Sequence, residues 1–183
     1  MILERTEQSA KVKAPQDKVT IRCVVRKFQN MSYLVRVQWK KGDDDAFIDN
    51  KYGRVHKWIF DGGVEVHASA SPHAVPLPMS SEQAVDPEEA FVASLSSCHM
   101  LWFLSIAAGK GIVVKSYEDA AEGVLGKDAD GKLALTRVTL KPEVEFGGVA
   151  VPSRSEIDGM HETAHEKCFI ANSVKTKITI IQS

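Results

Sequence analysis

The sequence predicts an α+β fold in which antiparallel β-sheets pack against helices. Three observations predict this class. Segments of alternating apolar and polar residues occur in pairs joined by turns of hairpin length, a long apolar helix lies in the middle of the chain, and a shorter amphipathic helix comes near its end. No strand is followed by a glycine-rich helix start, so a doubly wound parallel sheet is not expected.

The length, charge and cysteine content of the chain limit the classes of function to which it can belong. With 183 residues the chain is long enough for one domain with a full core, and its net charge of −1 argues against a role in binding nucleic acid or a membrane surface. The three cysteines include no CxxC pair, and the first thirty residues lack the apolar stretch of a secretory signal. We therefore expect a cytoplasmic protein in which any disulfide is transient.

The amino-terminal residues differ from the rest of the chain. Residues 1–30 are rich in Lys and Arg, and Met31 gives a cleaner start to the pattern of strands. We expect 1–30 to be a peripheral or partly disordered N-terminal extension and 31–183 to form a single domain. Cys23 lies in the extension and is assigned no role.

Three strands are predicted before the long helix. Apolar residues alternate over 33–39, and the segments 55–60 and 64–70 flank the turn 61–63 as the two arms of a hairpin. The acidic segment 42–45 lacks the spaced ligands and terminal glutamate of a calcium-binding loop, so we interpret it as a solvated turn.

The long helix begins at a clear signal. Asp86 is a good N-cap, Pro87 suits the first helical position, and the acidic pair Glu88 and Glu89 matches the helix dipole. A run without charge then extends to Lys110. The helix is about long enough to cross a membrane, which takes roughly 20 residues, but its serine and histidine residues make it too polar for lipid. We expect a core helix that is buried on most sides.

A second hairpin, a second helix and a closing strand are predicted after the long helix. Segments 117–125 and 133–144 flank the turn 127–131, a helix begins at Pro152, and 174–181 forms the last strand. Three residues of the second helix share one face at the helical period: Ile157, Ala164 and Cys168.

Cys98 lies near the middle of the long helix, beside serine and histidine residues rather than aliphatic ones. A free cysteine in a helix is often a small core residue, whereas a cysteine nucleophile needs a nearby cation that lowers its pKa. The helix itself contains no cation, so Arg54, from the loop before the second strand, is the candidate. Glu88 can orient its guanidinium through a paired hydrogen bond. His99 points about 100° away from Cys98 around the helix, which makes it a neighbour rather than a base.

The spacing of Glu88 and Cys98 predicts a dimer. Ten residues along a helix separate them by about 15 Å, which is too far for one arginine to contact both. If two copies of the helix packed antiparallel about a two-fold axis, Glu88 of one chain would approach Cys98 of the other. We therefore expect an obligate homodimer whose sites use residues of both chains.

A literal HExxH string runs from His161 to His165, close to Cys168. In zinc proteases two such histidines bind the metal, but a further ligand is needed, and no His, Asp or Glu follows Glu166. Proteolysis is therefore not expected. A metal site built from His161, His165 and Cys168 stays an alternative, and so does simple core packing of Cys168.

Three motifs together resemble the osmotically inducible protein C and organic hydroperoxide resistance (OsmC/Ohr) family: DPEEAF at 86–91, SSCH at 96–99 and AHEKC at 164–168. The resemblance covers roughly 31–183. Its most specific feature is a helical cysteine about ten residues after a glutamate, with a second cysteine about seventy residues further on. The resemblance implies two antiparallel β-sheets packed around two central helices in an interwoven two-fold dimer.

The resemblance also implies a function. By their places in the motifs, Cys98 matches the cysteine that attacks the peroxide, Cys168 the resolving cysteine that forms a disulfide with it, and Glu88 the glutamate that holds an arginine. Arg54 matches that arginine by its place before the hairpin turn. The implied activity is that of a thiol peroxidase acting on organic hydroperoxides. A dithiol such as a lipoylated protein would be the reductant, and no cofactor or metal is expected.

Two features depart from the family pattern. Phe169 follows the second cysteine where many relatives have proline, and the segments 43–49 and 1–30 have no counterpart. A non-catalytic, stress-linked binding module whose cysteines only pack is the rival interpretation, and its thiols would react slowly and without saturation.

Overall fold

The computed structural model describes residues 31–148 and 151–182. The predicted extension 1–30, with Cys23, lies outside them and stays a prediction. The described residues form an α+β fold, which confirms the predicted class. In chain order the elements are β1 (Val35–Gln38), β2 (His56–Phe60), β3 (Glu65–Ala68), α1 (Pro87–Gly109), β4 (Val113–Asp119), β5 (Glu122–Lys127), β6 (Leu133–Leu140), β7 (Pro142–Gly147), α2 (Arg154–Lys167) and β8 (Lys177–Ile180).

The first sheet is antiparallel and has the order β1-β2-β3, as the alternating residues and the turn 61–63 predict. It joins the rest of the fold beside Val85, whose amide donates to His67 O at 3.0 Å and whose carbonyl accepts from Ser69 N at 3.1 Å. The described residues leave much of its apolar surface uncovered. Exposed side chains in and beside this sheet include Val35 at 55%, Val37 at 62% and Val64 at 61%.

The second predicted hairpin is longer than expected. β5 pairs with β6 and β4 pairs with β7, and the register is the same on both sides of the junction, where Asp119 faces Pro142 and Glu122 faces Thr139. Farther from the junction, each ladder contains one register shift. The ladder is interrupted at the junction because Pro142 has no N–H. The Lys141 amide donates instead to Asp119 Oδ1, at 2.6 Å. The four strands thus form one long ribbon that is broken in its middle.

The expected two antiparallel sheets are not what one protomer shows. The break in the ribbon separates the sheet β4-β7 from the sheet β5-β6-β8, so the described residues hold three sheets. The predicted closing strand is confirmed as β8, but it pairs parallel to β6, with Ile178 facing Val138. Parallel neighbours need a long crossover, which the segment containing α2 provides.

α1 begins and ends where the sequence predicts. Asp86 Oδ1 accepts from the Glu89 amide at 2.7 Å, and Glu89 Oε2 accepts from the Asp86 amide at 3.2 Å, which makes a capping box. Gly111, at φ +74°, lets the chain turn away after the helix. Among the described helices, α1 is long and apolar enough to cross a membrane by length and composition alone, a test that a core helix also passes.

The prediction that α1 is buried on most sides is wrong for one protomer. Phe103 packs against α2, and Leu95 packs against β6, but the opposite face is open, with Leu101 60% exposed. The apolar composition of α1 therefore exceeds what its own chain buries among the described residues. Its fully buried residues follow a single stripe with a spacing of four: Leu95, His99, Phe103 and Ala107.

α2 begins two residues after the predicted Pro152. Ser153 is its N-cap and forms a capping box with Glu156. The helix ends at Lys167, so the prediction that Cys168 lies on its helical face is wrong. Cys168 is the C-cap residue, with an extended backbone at φ −67° and ψ 111°. The chain leaves the helix at this residue and remains buried there.

Gly123 of β5 faces α1 at close range, since a Cβ atom at this position would lie 2.5 Å from Val92 Cγ2. We predict that Gly123→Ala lowers the free energy of unfolding by about 1–3 kcal/mol, because the added methyl group overpacks the interface between β5 and α1. Urea denaturation followed by circular dichroism measures this. Val92→Ala removes the obstructing methyl groups, so Gly123→Ala should lose much less stability in that background. An equal loss in both backgrounds would contradict the packing explanation.

Candidate active site

Two thiols, one in α1 and one at the end of α2, lie next to each other. Cys98 lies in α1 and is half-buried, whereas Cys168 follows α2 and is only 1% exposed. Their side chains are neighbours, close enough for Cys98 to raise the pKa of Cys168, and both are free thiols. The structure thus brings together the two cysteines that the sequence predicts as a reactive pair.

The two thiols differ in their surroundings. Burial raises the pKa of Cys168 to about 11, and its hydrogen bond with Cys98 acts in the same direction. The Ala171 amide donates to Cys168 Sγ at 3.3 Å. Cys98, as the more exposed sulfur, is therefore the one that an incoming reactant meets first.

An aromatic pair lies beside the cysteines. Trp102, one turn after Cys98, contacts Phe169, the residue after Cys168, edge to face with ring centroids 5.6 Å apart. The Lys167 ammonium lies 5.5 Å from the centre of the Trp102 ring. Sequence reasoning named Arg54, from the loop before β2, as the candidate cation and did not consider Lys167. The position directly before the second cysteine is the signal that would have found it.

Arg54 lies apart from the thiols within one protomer. Its guanidinium donates to the Tyr52 carbonyl and to the carbonyl and side chain of Asn50, the latter two at 2.9 and 2.7 Å, and it covers the Tyr52 ring at 3.7 Å. Glu88 is exposed on the first turn of α1, and within 31–148 and 151–182 it forms no ion pair. One protomer therefore does not bring Arg54, Glu88 and Cys98 together, and the roles predicted for the first two stay predictions.

Arg54 and Glu88 nevertheless lie at the same end of α1. Arg54 lines a cavity of about 450 Å³ together with Pro87, the first residue of α1. Cys98 lies about three turns further along the helix. The cation and the carboxylate are thus both remote from the thiol of their own chain. The other main walls of this cavity are aromatic rings in mutual contact: Trp39, Phe47 and Tyr52.

A groove of about 1030 Å³ runs along α1 beside the ribbon. Its α1 wall extends from Glu88 to Met100, and Leu135 is part of the opposite wall. Ser96 Oγ donates to Asp119 Oδ2, which ties α1 to the broken middle of the ribbon. The groove is therefore lined by both carboxylate and apolar groups.

A buried histidine pair joins α1 to α2 near the cysteines. His99 and His161 are 1% and 2% exposed, and His99 Nε2 lies 2.9 Å from His161 Nδ1. His161 also stacks on Phe103, with ring centroids 4.3 Å apart. Burial lowers the pKa of each histidine to about 4, so both are neutral at pH 7. Sequence reasoning interpreted His99 only as a neighbour of Cys98 and missed this contact. A histidine on the apolar face of each helix is the signal that would have indicated it.

The HExxH string does not gather metal ligands. Within the part of the chain that the structure describes, no three His, Cys, Asp or Glu side chains are placed to hold a metal ion. His161 Nδ1 is hydrogen-bonded to His99 Nε2, and the Cys168 thiol lies beside the Cys98 thiol. The alternative of a metal site at His161, His165 and Cys168 is therefore not supported.

Comparisons with known proteins show the family and the fold. Residues 80–183 match the family model for OsmC-like protein. An OsmC-like protein of unknown function from Vibrio cholerae is 52% identical in sequence, with a TM-score of 0.83 over 84% of this chain and 100% of that one. No curated protein matches the chain.

Two structures of lower sequence identity share the fold. The organic hydroperoxide resistance protein OhrB of Bacillus subtilis is 19% identical, with a TM-score of 0.59 over 84% of this chain and 98% of that one. An organic hydroperoxide resistance protein from Elizabethkingia anophelis is 17% identical, with a TM-score of 0.60 over 85% of this chain and 96% of that one.

The histidine pair predicts loss of stability in acid. Folding lowers the pKa of His99 and His161 from the ordinary 6.5 to about 4, so the unfolded chain binds more protons between these values. This contribution to stability is complete above pH 6.5 and is lost as the pH falls toward 4. We expect a loss of about 1.4 kcal/mol per pH unit for each histidine that titrates.

Urea denaturation at several pH values checks this prediction, with His99→Leu/His161→Leu as the matched variant. The wild type should lose stability more steeply than the variant as the pH falls. Equal slopes in the two proteins would show that other groups cause the acid sensitivity.

Proposed function

The chain belongs to the OsmC-like protein family, and we propose that it is a thiol-dependent peroxidase that reduces organic hydroperoxides. The observation that carries this proposal is the contact between the half-buried Cys98 and the buried Cys168. A passive core needs no second thiol at that place. The names of the two organic hydroperoxide resistance proteins that share the fold support the same activity.

The proposed cycle uses only the two sulfurs and an external dithiol. The Cys98 thiolate attacks the distal oxygen of the hydroperoxide, so that an S–O bond forms, the O–O bond breaks, and the alkoxide leaves and is protonated to the alcohol. Cys168 then attacks the Cys98 sulfenic acid, which forms the disulfide and releases water. A dithiol, such as a lipoylated protein, reduces the disulfide by thiol–disulfide exchange and is itself oxidised.

The aromatic pair beside the cysteines supports a preference for organic substrates. Trp102 is half-buried and Phe169 is 49% exposed, so both rings leave surface for an alkyl or aryl group. Covering that surface with the organic part of a hydroperoxide is favourable by about 25 cal/mol per Å² of apolar area. Hydrogen peroxide gains nothing from it.

We propose that the complete site needs two chains. One protomer supplies both sulfurs, whereas Arg54 and Glu88 lie at the far end of α1. Packing α1 antiparallel against its copy would bring the partner's end of the helix to Cys98. The exposed face of α1, which includes Ser97 and Leu101, and the exposed apolar sheet β1-β2-β3 supply surface for such an interwoven homodimer. Arg54, oriented by Glu88, would then stabilise the thiolate.

Steady-state peroxidase assays with cumene hydroperoxide and dihydrolipoamide test the activity. We expect Cys98→Ser to lower turnover by at least about 100-fold, because the nucleophile is lost. Cys168→Ser should react once per chain and then stop as Cys98 is over-oxidised to the sulfinic acid. Cys23→Ser, a matched control, should keep wild-type turnover. Retained turnover in Cys98→Ser would refute the peroxidase, and slow, unsaturable thiol loss in the wild type would favour a passive binding module.

Mixing of variants tests the two-chain site. We expect Arg54→Met and Cys98→Ser homodimers each to lose about 100-fold or more of the activity, since each removes one half of the thiolate centre. After unfolding and refolding together, the mixed dimer holds one site with an intact Cys98 from one chain and an intact Arg54 from the other. Activity should then return to about a quarter of the wild-type value, because about half of the molecules hold one working site of two.

The same experiment has a control built in. Arg54→Met mixed with Cys98→Ser/Arg54→Met contains no intact pair and should stay inactive. Failure of the first mixture to regain activity, with mixed dimers present by native mass spectrometry, would place Arg54 and Cys98 of one site in the same chain. Full activity of Arg54→Met alone would remove Arg54 from the site.

A further inference from the structure

Two contacts join α1 to α2 near the proposed reaction centre. One is the contact of Cys98 with Cys168, and the other is the hydrogen bond between His99 Nε2 and His161 Nδ1 at 2.9 Å. Cys98 and His99 are adjacent in α1, whereas His161 lies about two turns before Cys168. Because the contacts lie at different heights of α2, together they fix its position along α1 and its rotation.

The histidine contact is directional in a way that apolar packing is not. The two rings are nearly coplanar, with 2° between their planes, and both side chains are almost fully buried. His99 Nδ1 has no hydrogen-bond partner among the described residues. Burying such polar groups costs stability relative to aliphatic side chains of similar size. Stability alone therefore does not explain why two histidines occupy these positions.

We propose that the hydrogen bond between His99 and His161 positions Cys168 for disulfide formation with Cys98. The two histidines, here termed the histidine clamp, are then positioning residues, and this inference rests on the proposed function. Disulfide geometry tolerates little displacement, since the two Cβ atoms must come within about 3.5–4.5 Å of each other. A bond that sets the rotation of α2 therefore controls how readily the two sulfurs join.

The step that the clamp assists can be measured with or without peroxide. In the cycle, Cys168 Sγ bonds to Cys98 Sγ, the S–O bond of the sulfenic acid breaks, and the hydroxyl group leaves with the thiol proton as water. The same disulfide forms by exchange with oxidised dithiothreitol, which becomes a dithiol as the two protein thiols are oxidised. This exchange reports on the clamp separately from the peroxide reaction.

The first test compares two amides at position 99. Glutamine places its amide nitrogen near the position of His99 Nε2, whereas asparagine is one methylene too short to reach His161. The measured quantity is the equilibrium constant for forming the Cys98–Cys168 disulfide by exchange with oxidised dithiothreitol. We expect His99→Gln to keep this constant within about twofold of the wild type. His99→Asn should lower it about tenfold, a change of about 30 mV in the reduction potential of the disulfide. Met160→Leu, a buried apolar exchange next to His161, is the matched control and should leave the constant unchanged.

A second comparison separates positioning from stability. His99→Leu/His161→Leu replaces both polar partners with apolar side chains, so its free energy of unfolding at pH 7 should equal or exceed that of the wild type. Its disulfide constant should nevertheless fall about tenfold. In a Cys168→Ser background, His99→Asn should not change the rate at which Cys98 reacts with cumene hydroperoxide, because the clamp acts on the second step.

Several results would overturn the clamp. Equal shifts in His99→Gln and His99→Asn would show that the hydrogen bond is not the cause, and this comparison holds even if the double leucine variant fails to fold. A folded double leucine variant with the wild-type constant would do the same, as would a wild-type protein that forms no disulfide with oxidised dithiothreitol. A protein that ignores hydroperoxides but shows the His99→Asn shift would refute the peroxidase and support the clamp.

Discussion

The contact between the Cys98 and Cys168 side chains is the interaction on which the rest of the structure depends. It requires a fixed distance between α1 and α2, which come from distant parts of the chain. The capping box at Asp86 fixes where α1 begins, and the buried Phe103 packs α1 against α2. The end of α2 at Lys167 then places Cys168 on extended backbone, where its sulfur meets the middle of α1.

The same contact divides the chemistry between the two sulfurs. Cys168 is buried, which raises the pKa of its thiol, whereas Cys98 is the more exposed of the two. This asymmetry suits an attacking and a resolving thiol. Among the described residues, the predicted guanidinium does not lie beside Cys98 of its own chain, because Arg54 is hydrogen-bonded within its own loop at the other end of α1. The proposed dimer would place the partner's Arg54 beside Cys98 and would also cover the exposed apolar surface.

The sequence predicted local features well because they depend on neighbouring residues. The capping signal at Asp86 placed the start of α1, and the alternation of apolar residues placed both hairpins. Features that depend on residues far apart were predicted less well. The break of the ribbon arises from Pro142 and Asp119 together, and the parallel pairing of β8 depends on the path of the chain after α2.

The candidate site shows the same limit. The pairing of Cys98 with Cys168 came from a resemblance, and its redox role stays a prediction. No periodicity along the chain reveals that His99 and His161 meet, since they are in different helices. Helical periodicity also placed Cys168 inside α2, whereas the helix ends one residue earlier. The burial of α1 was overestimated because the composition of a helix does not say which chain covers it.

The most direct test of the proposed peroxidase is to identify the bonds made by the sulfurs after reaction with one equivalent of cumene hydroperoxide. Peptide mapping by mass spectrometry of the non-reduced, alkylated protein provides this. The proposed cycle predicts a disulfide between Cys98 and Cys168 of the same chain, with two thiols lost per chain and Cys23 still free. Unchanged thiols, or oxidation that leaves Cys98 and Cys168 unlinked, would contradict it.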